Sequence, residues 1–123
     1  MDKYEESNLL YEQGLEHFRA GSFQLSLDCF LKSNQLDEHS RTYARIYECL
    51  TMLGKTIEAK PYIKIAYEMN PNHDKVIMQY VDTLLQEDKV EVAKELLNKL
   101  LLRNKTYNPA RRLLEKIKSD TDS

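Results

Sequence analysis

Small and large apolar positions recur along this chain with a fixed spacing. Each of three stretches has two positions for small residues, seven apart, with a large apolar residue between them. The three sets are Ser26, Phe30 and Ser33, then Ala59, Ile63 and Ala66, then Ala93, Leu97 and Leu100, with Leu100 in place of the second small residue. The sets repeat about every 34 residues, a period typical of two-helix units that stack on one another.

This spacing predicts helices that pack closely in pairs. A small residue on one helix lets its neighbour approach, and the large apolar residue four positions later fills the groove beside it. No stretch alternates apolar and polar residues for long enough to favour a strand. Because one hairpin cannot bury both of its faces, about three units are needed for a stable fold. The pattern therefore predicts an all-α protein.

Glycine and proline indicate where helices end and begin. Gly21 and Gly54 are expected to end the first helices of two units, since glycine tolerates the conformation that follows a helix. Asn108 and Pro109 predict the start of a last helix. Pro61 lies about one turn into a predicted helix, so we expect an irregular first turn there. The apolar residues of the last helix, which can cover the open end of the third unit, are Leu113, Leu114 and Ile117.

The chain resembles the tetratricopeptide repeat family in the small, aromatic and turn positions of its units. The matching residues are Gly14, Gly21, Ser26, Phe30 and Ser33 in the first unit, Gly54, Ala59, Ile63, Ala66 and Pro71 in the second, and Leu84, Asp88, Ala93 and Leu97 in the third. Each unit also departs from the family pattern, which has proline at Glu38, a small residue at Tyr47 and alanine at Leu100. The resemblance depends on three degenerate units sharing one phase.

The resemblance implies an all-α fold, a right-handed α-solenoid of three helix-turn-helix units with a closing helix, which makes seven helices. We expect the repeats over about residues 7–39, 40–73 and 74–107, and the closing helix over about residues 109–118. Residues 1–118 would form a single domain. Residues 119–123 are short and polar, so we expect a disordered tail.

The resemblance also implies a concave groove lined by the first helix of each unit. Members of the family bind a peptide or helix of another protein there, so we expect an adaptor or chaperone-like protein-binding module. The expected groove residues are Asn8, Tyr11, Leu15, Phe18, Arg41, Ala44, Arg45, Glu48, Lys75, Met78, Gln79 and Asp82. The closing helix is expected to add Arg112 and Lys116.

Two interpretations of these groove residues stay open. Tyr11, Leu15 and Phe18 recur at helical spacing and form either an apolar pocket for a bound segment or a stripe that packs inside the first unit. The three cations beside that stripe would attract an acidic peptide, or they form a solvated face. These cations are Arg41, Arg45 and Lys75.

One branch of the family uses Lys, Asn, Asn, Lys and Arg to hold the C-terminal carboxylate of heat-shock chaperones. Here those positions are Tyr11, Leu15, Arg45, Lys75 and Gln79, and only Lys75 matches. The residues therefore argue against that ligand. The size of three repeats also resembles bacterial secretion chaperones that cradle an extended segment of a partner.

Charge is distributed unevenly along the 123 residues, although the net charge is only −2. Residues 1–40 carry three basic and eight acidic side chains, whereas residues 89–118 carry nine basic and three acidic ones. This gradient permits head-to-tail contact between copies, so a self-assembling scaffold is the alternative function. Nucleic acid is not an expected partner, because the acidic part would repel phosphate.

No set of residues indicates catalysis. His17, His39 and His73 are isolated from one another in sequence, and the chain has no phosphate-binding glycine loop. Cys29 and Cys49 lack the spacing of a metal site or a disulfide scaffold, which indicates free thiols in a reducing compartment. We therefore expect no enzyme, no catalytic residue, no metal and no cofactor.

The start of the chain is acidic and has no apolar run behind it, so we expect no signal peptide. No stretch approaches the length of about 20 apolar residues that a membrane span needs. The sequence therefore predicts a cytoplasmic protein without membrane contact.

Overall fold

The computed structural model describes residues 1–122 and places no strand among them. The seven helices of the described residues are α1 (Lys3–Arg19), α2 (Phe23–Leu36), α3 (Ser40–Met52), α4 (Thr56–Met69), α5 (Asp74–Gln86), α6 (Val90–Arg103) and α7 (Asn108–Asp122). They form the predicted hairpins α1–α2, α3–α4 and α5–α6, followed by the closing helix. The predicted fold class is therefore confirmed.

The chain divides into two compact units, Met1–Asn70 with α1 to α4 and Pro71–Ser123 with α5 to α7. The single domain over residues 1–118 stays a prediction. The first repeat was expected from residue 7, but α1 begins at Lys3 because Asp2 caps it. The Asp2 side chain accepts a hydrogen bond of 2.8 Å from the backbone N–H of Glu5.

The turns inside the three hairpins share one geometry. Gly21, Gly54 and Asp88 have φ of 79°, 78° and 59°, and each follows the end of a first helix. The next residue donates a backbone hydrogen bond to a carbonyl five residues earlier, as in Lys89 to Leu84 at 2.9 Å. The turn position predicted for Asp88 is thus observed, although a residue with a β-carbon occupies a left-handed conformation there.

Two boundary predictions differ from the structure. α7 extends to Asp122, whereas residues 119–123 were expected to be disordered, and Ser123 lies outside the described residues. Polar residues do not stop a helix by themselves, and the buried Ile117 anchors this one close to its end. α4 is helical from Thr56 onward with Pro61 inside it, so the irregular first turn is not observed. Pro61 has no N–H to donate to the carbonyl of Ile57, four residues earlier. Ile57 is 82% exposed, so water can hydrogen-bond to that carbonyl instead.

The core of the first unit depends on close approach of α1 and α2. The Ser26 hydroxyl donates to the Gly14 carbonyl at 2.7 Å, and the Cys49 thiol lies 3.4 Å from the same hydroxyl. The hydroxyl groups of Ser7 and Ser33 each donate to the other residue's carbonyl, at 2.8 and 2.7 Å. Serine is therefore tolerated at the small positions of α2, because its buried hydroxyl donates a hydrogen bond to a carbonyl of α1.

In the second unit, α6 packs on both α5 and α7. Ala93, Leu97 and Leu100 of α6 are almost fully buried, as are Ala110 and Leu114 of α7. At the open end of the α5–α6 hairpin, Arg103 and Asn104 donate hydrogen bonds to the carboxylate of Asp74. α7 thus closes the unit as predicted, with Leu114 and Ile117 buried and Leu113 only half-buried.

Candidate peptide-binding surface

In the first unit, α1 and α3 meet around the side chain of Tyr11. Its ring packs on Phe30 with centroids 5.3 Å apart, and only 7% of the residue is exposed. The guanidinium carbon of Arg41 lies 4.3 Å from the centroid of the Tyr11 ring. Arg45 donates from Nε to the Tyr11 hydroxyl at 3.3 Å. Two cations of α3 are therefore positioned by one aromatic ring of α1.

Polar neighbours hold these two arginines from either side. Asn8 accepts a hydrogen bond of 3.4 Å from Nη2 of Arg41, and Glu48 lies 3.5 Å from Nη1 of Arg45. Burial lowers the pKa of the Arg45 guanidinium, but the Tyr11 hydroxyl and the Glu48 charge outweigh burial, so its pKa is raised and it stays charged. Within the described residues, Arg41 is exposed and pairs with no carboxylate.

The apolar stripe of α1 packs mainly inside the first unit. Tyr11 lies on Phe30 of α2, and Phe18 meets the ring of Phe23 edge-on at 5.1 Å. Leu15 is half-buried against the same core. Ala44 of α3 is also buried, with 6% of the residue exposed. The expected open apolar pocket is thus largely filled, and the exposed part of this surface is polar and cationic.

The predicted residues of α5 belong to the second unit. Lys75 and Asp82 are exposed, whereas Met78 and Gln79 are half-buried. The amide oxygen of Gln79 is buried and has no hydrogen-bond partner within the part of the chain that the structure describes. Asp82 lies on the rim of a cleft of about 420 Å³. The residues that line this cleft are Asp82, Leu85, Val90, Leu113, Lys116, Ile117 and Asp120.

Sequence reasoning named Asp82 and Lys116 but did not place Leu85 and Val90 at a binding surface. Leu85 follows Asp82 by three positions on α5, so both lie on one helical face. Val90 is the first residue of α6, directly after the turn between the two helices, and it lines the cleft. The three-residue spacing of Asp82 and Leu85 is the sequence signal that could have identified Leu85 as part of this surface.

A second cleft, of about 680 Å³, lies in the first unit between α2, α3 and α4. The rings of Tyr43 and Tyr62 are 6.3 Å apart there. The Tyr43 hydroxyl donates to Glu38 at 2.5 Å, and this bond raises the pKa of Tyr43. The lining is mostly apolar and comprises Leu27, Leu31, Tyr43, Ile46, Leu50, Lys55, Glu58, Pro61, Tyr62 and Ile65.

Among the side chains that the structure describes, those of residues 1–120, no group of three or more His, Cys, Asp or Glu could hold a metal ion. Cys29 and Cys49 are free thiols, and burial raises the pKa of both, which keeps them protonated. Among the described residues, no helix has the length and apolar content needed to cross a membrane.

Three solved structures with the same fold are distant from this chain in sequence. The first TPR domain of Spaghetti (RPAP3), bound to the HSP90 peptide SRMEEVD, is 21% identical with a TM-score of 0.82, and the alignment covers 100% of both chains. The secretion chaperone SycD of Yersinia enterocolitica, in complex with a peptide of the translocator YopD, is 17% identical with a TM-score of 0.77 and 93% coverage of each chain. The Arabidopsis OM64 TPR domain is 11% identical with a TM-score of 0.81, covering 95% of this chain and 98% of that one. These likenesses show the fold.

No curated protein matches the sequence. The family model for the tetratricopeptide repeat matches residues 50–117, which is more than half of the chain. That stretch includes Gly54, Ala59, Ala66 and Ala93, which the repeat pattern singled out. The chain belongs to the tetratricopeptide repeat family.

Proposed function

We propose that this protein is an adaptor or chaperone-like module that binds a peptide or helical segment of another protein on the polar surface of α1 and α3. The observation that supports this proposal is the exposed charge of Arg41, which is held on the Tyr11 ring and pairs with no carboxylate of the described chain. The segment that this surface fits is acidic.

The arrangement lowers the cost of binding an anion. A free arginine loses side-chain freedom when it binds, but Arg41 is already positioned by the Tyr11 ring and the Asn8 amide. A guanidinium offers several N–H groups in one plane, which suits a carboxylate that accepts two hydrogen bonds. Arg45 lies on the same tyrosine and adds positive charge, partly offset by Glu48.

The relatives support the proposal by analogy of fold. The TPR domain of Spaghetti is bound to an HSP90 peptide, and SycD is bound to a peptide of YopD. A shared fold does not fix a ligand, so the residues of this chain decide which segment it takes.

The remaining groove residues belong to the proposal in two groups. Leu15 and Phe18 pack against the core of the first unit and so anchor α1, and Ala44 is a small buried residue of α3. On the second unit, α5 is proposed to offer contacts of its own through Lys75, Met78, Gln79 and Asp82. The proposal includes no catalytic step, metal or cofactor, and it keeps the predicted cytoplasmic location, in which both thiols stay reduced.

Selection from a library of random peptides tests the proposal. We expect the wild-type protein to enrich peptides with Asp and Glu, and Arg41→Glu to lose this enrichment at least tenfold. The matched control is Lys64→Glu, which makes the same charge change at an exposed position of α4 in the same unit. Equal enrichment by Arg41→Glu and Lys64→Glu, with both variants folded by circular dichroism, would refute the role of this surface.

Self-assembly remains the alternative predicted from the charge gradient. Sedimentation at low and high salt separates the two functions. An adaptor stays monomeric in both, whereas head-to-tail assembly through opposite charges gives larger species that dissociate as salt screens the contact.

A further inference from the structure

The cleft between α2, α3 and α4 in the first unit is separate from the residues proposed to bind a peptide. Its volume of about 680 Å³ lies within the range of about 300–1,000 Å³ found for small-molecule sites. Tyr43 and Leu50 of α3 line its floor and are seven residues apart, so the floor is about 10 Å long. On the walls, Leu31 of α2 is 39% exposed and Ile65 of α4 is half-buried. The fold therefore leaves apolar area here that a small ligand can cover.

Two tyrosine rings lie at one end of this floor. The ring centroids of Tyr43 and Tyr62 are 6.3 Å apart, and both residues are only half-buried. The Tyr43 hydroxyl already donates to Glu38, so its ring is the part that is left to meet a ligand. Aromatic rings pack favourably on one another at centroid distances of about 4.5–7 Å. This end of the cleft therefore suits an aromatic group.

Two opposite charges lie at the other end of the floor. Lys55 donates its backbone N–H to the Leu50 carbonyl at 2.8 Å, and Glu58 follows three residues later in the first turn of α4. Both residues line the cleft and are exposed. Neither side chain forms a hydrogen bond or ion pair with another residue of the described chain. A ligand whose head carries one negative and one positive group complements both of them.

We propose that this cleft binds a free aromatic α-amino acid, with its carboxylate at Lys55, its ammonium group at Glu58 and its ring beside the two tyrosines. An α-amino acid carries both charges on one carbon atom, so two flexible side chains can reach them together. Burial of the aromatic ring supplies most of the affinity. The charged contacts lie at the exposed rim, so they select the head group more than they add affinity.

This inference goes beyond the proposed binding of a polypeptide, because its ligand is a small molecule and its residues are different ones. Arg41→Glu alters the surface of α1 and α3 and changes no residue that lines this cleft. Loss of peptide binding in that variant therefore leaves the amino-acid site intact, and failure of the amino-acid site leaves the peptide surface intact.

The sequence contains no tryptophan, so the fluorescence of an indole ligand can be followed without indole emission from the protein. Three probes share the indole group: tryptophan has both charges, indole-3-propionate lacks the ammonium group and tryptamine lacks the carboxylate. Fluorescence anisotropy of each probe is measured while the protein is titrated. We expect tryptophan to bind about twofold to fivefold more tightly than either of the others, since each of those loses one exposed ion pair.

Reversing either charge at the rim should change the order of the three probes. Lys55→Glu makes the rim acidic, so we expect tryptamine to become the tightest probe. Glu58→Lys makes the rim basic, so we expect indole-3-propionate to become the tightest. The matched controls Lys64→Glu and Glu68→Lys make the same charge changes at exposed positions of α4 outside the cleft, and tryptophan should stay the tightest probe in both.

A charge on the apolar wall tests where the ring binds. Leu31 is 39% exposed, so Leu31→Asp is expected to fold, which circular dichroism checks. We expect its affinity for all three probes to fall at least fivefold. The matched control is Leu25→Asp, at a 54% exposed position of the same helix outside the cleft, which should keep the wild-type affinity.

Four results would overturn the proposal. None of the probes binds, or tryptophan binds no more tightly than the two probes with a single charge. The third is equal affinity of Leu31→Asp and Leu25→Asp for tryptophan. The fourth is association of the chain with itself in sedimentation that Leu31→Asp abolishes, because this would assign the cleft to a second copy.

Discussion

Gly14 lies directly against the ring of Phe30. A β-carbon placed on Gly14 would lie 2.7 Å from Cε1 of Phe30 and 2.9 Å from two further ring atoms. Phe30 is fully buried and also packs on Tyr11, so the ring has little room to retreat. The contact sets how closely α1 and α2 approach, and it supports the ring that holds Tyr11 beneath the two arginines.

Gly14→Ala is therefore expected to destabilise the protein even though alanine favours helices. Overpacking of a tight core costs about 1–3 kcal/mol, whereas the gain in helix propensity is about 1 kcal/mol. Chemical denaturation measures the free energy of unfolding, which we expect to fall by about 1 kcal/mol. Gln13→Ala, at the exposed neighbouring position, is the control and should change little. A more stable Gly14→Ala variant would show that the two helices can separate freely.

Asp88→Gly is expected to stabilise the protein. Asp88 has φ of 59° at the turn where the other two hairpins have glycine. A residue with a β-carbon is destabilised by about 1–2 kcal/mol in this conformation, and glycine removes that strain. Part of the gain is offset because glycine gives the unfolded chain more conformational entropy. We expect a gain of about 0.5 kcal/mol in the free energy of unfolding. Asp88→Ala keeps the β-carbon and should give no gain. A loss of stability in Asp88→Gly would mean that the aspartate makes a compensating contact.

The contact between Asp74 and the end of α6 predicts a dependence of stability on pH. Asn104 donates to Asp74 at 3.0 Å and Arg103 at 2.6 Å, and these bonds hold the pKa of the Asp74 carboxyl below its ordinary 3.8. A lowered folded pKa gives stability that is complete above pH 3.8 and is lost as the pH falls through the folded value.

Asp74→Asn should thus lower the free energy of unfolding by about 1 kcal/mol at pH 7. The difference from the wild type should shrink steadily below pH 3.8. Glu95→Gln on exposed α6 is the control and should show no such trend. A deficit in Asp74→Asn that stays constant down to pH 2 would remove the carboxylate as its cause.

The chaperone-tail peptide provides a test of specificity. The TPR domain of Spaghetti is bound to SRMEEVD, but only Lys75 of this chain matches the five clamp residues of that branch of the family. At two of those positions Tyr11 is buried and Leu15 half-buried, so neither can take the place of a polar clamp residue. We expect isothermal titration to show no binding of SRMEEVD at 100 µM. Binding that depended on its C-terminal carboxylate would contradict this specificity.

The helices were predictable because their signals are local. Gly21, Gly54 and Asp88 mark equivalent turns, and the small positions of the second helices are buried, as close packing of helix pairs requires. The end of α7 was less predictable, because packing of Ile117 extends a helix that polar residues alone would not specify. Local propensity decides the existence of an element, whereas tertiary packing decides its last turn.

The surface was only partly predictable. The family resemblance placed Tyr11 and Arg45 on one groove, but it could not show that the Tyr11 ring is buried and that Arg45 donates to its hydroxyl. An aromatic residue on a helix has the same spacing whether it faces a core or a groove. In this structure Tyr11 packs on Phe30, which itself lies against Gly14, and so Tyr11 faces the core.

The central claim is that an acidic segment of a partner binds over Tyr11 on α1 and α3. The most direct measurement is a nuclear magnetic resonance titration of the ¹⁵N-labelled protein with the acidic peptide most enriched in the library selection. The account predicts that the largest shifts occur at Asn8 and at the side-chain Nε of Arg41 and Arg45, and that Arg41→Glu abolishes them. Shifts centred instead on Leu31, Tyr62 and Ile65, in the apolar cleft between α2 and α4, would contradict it.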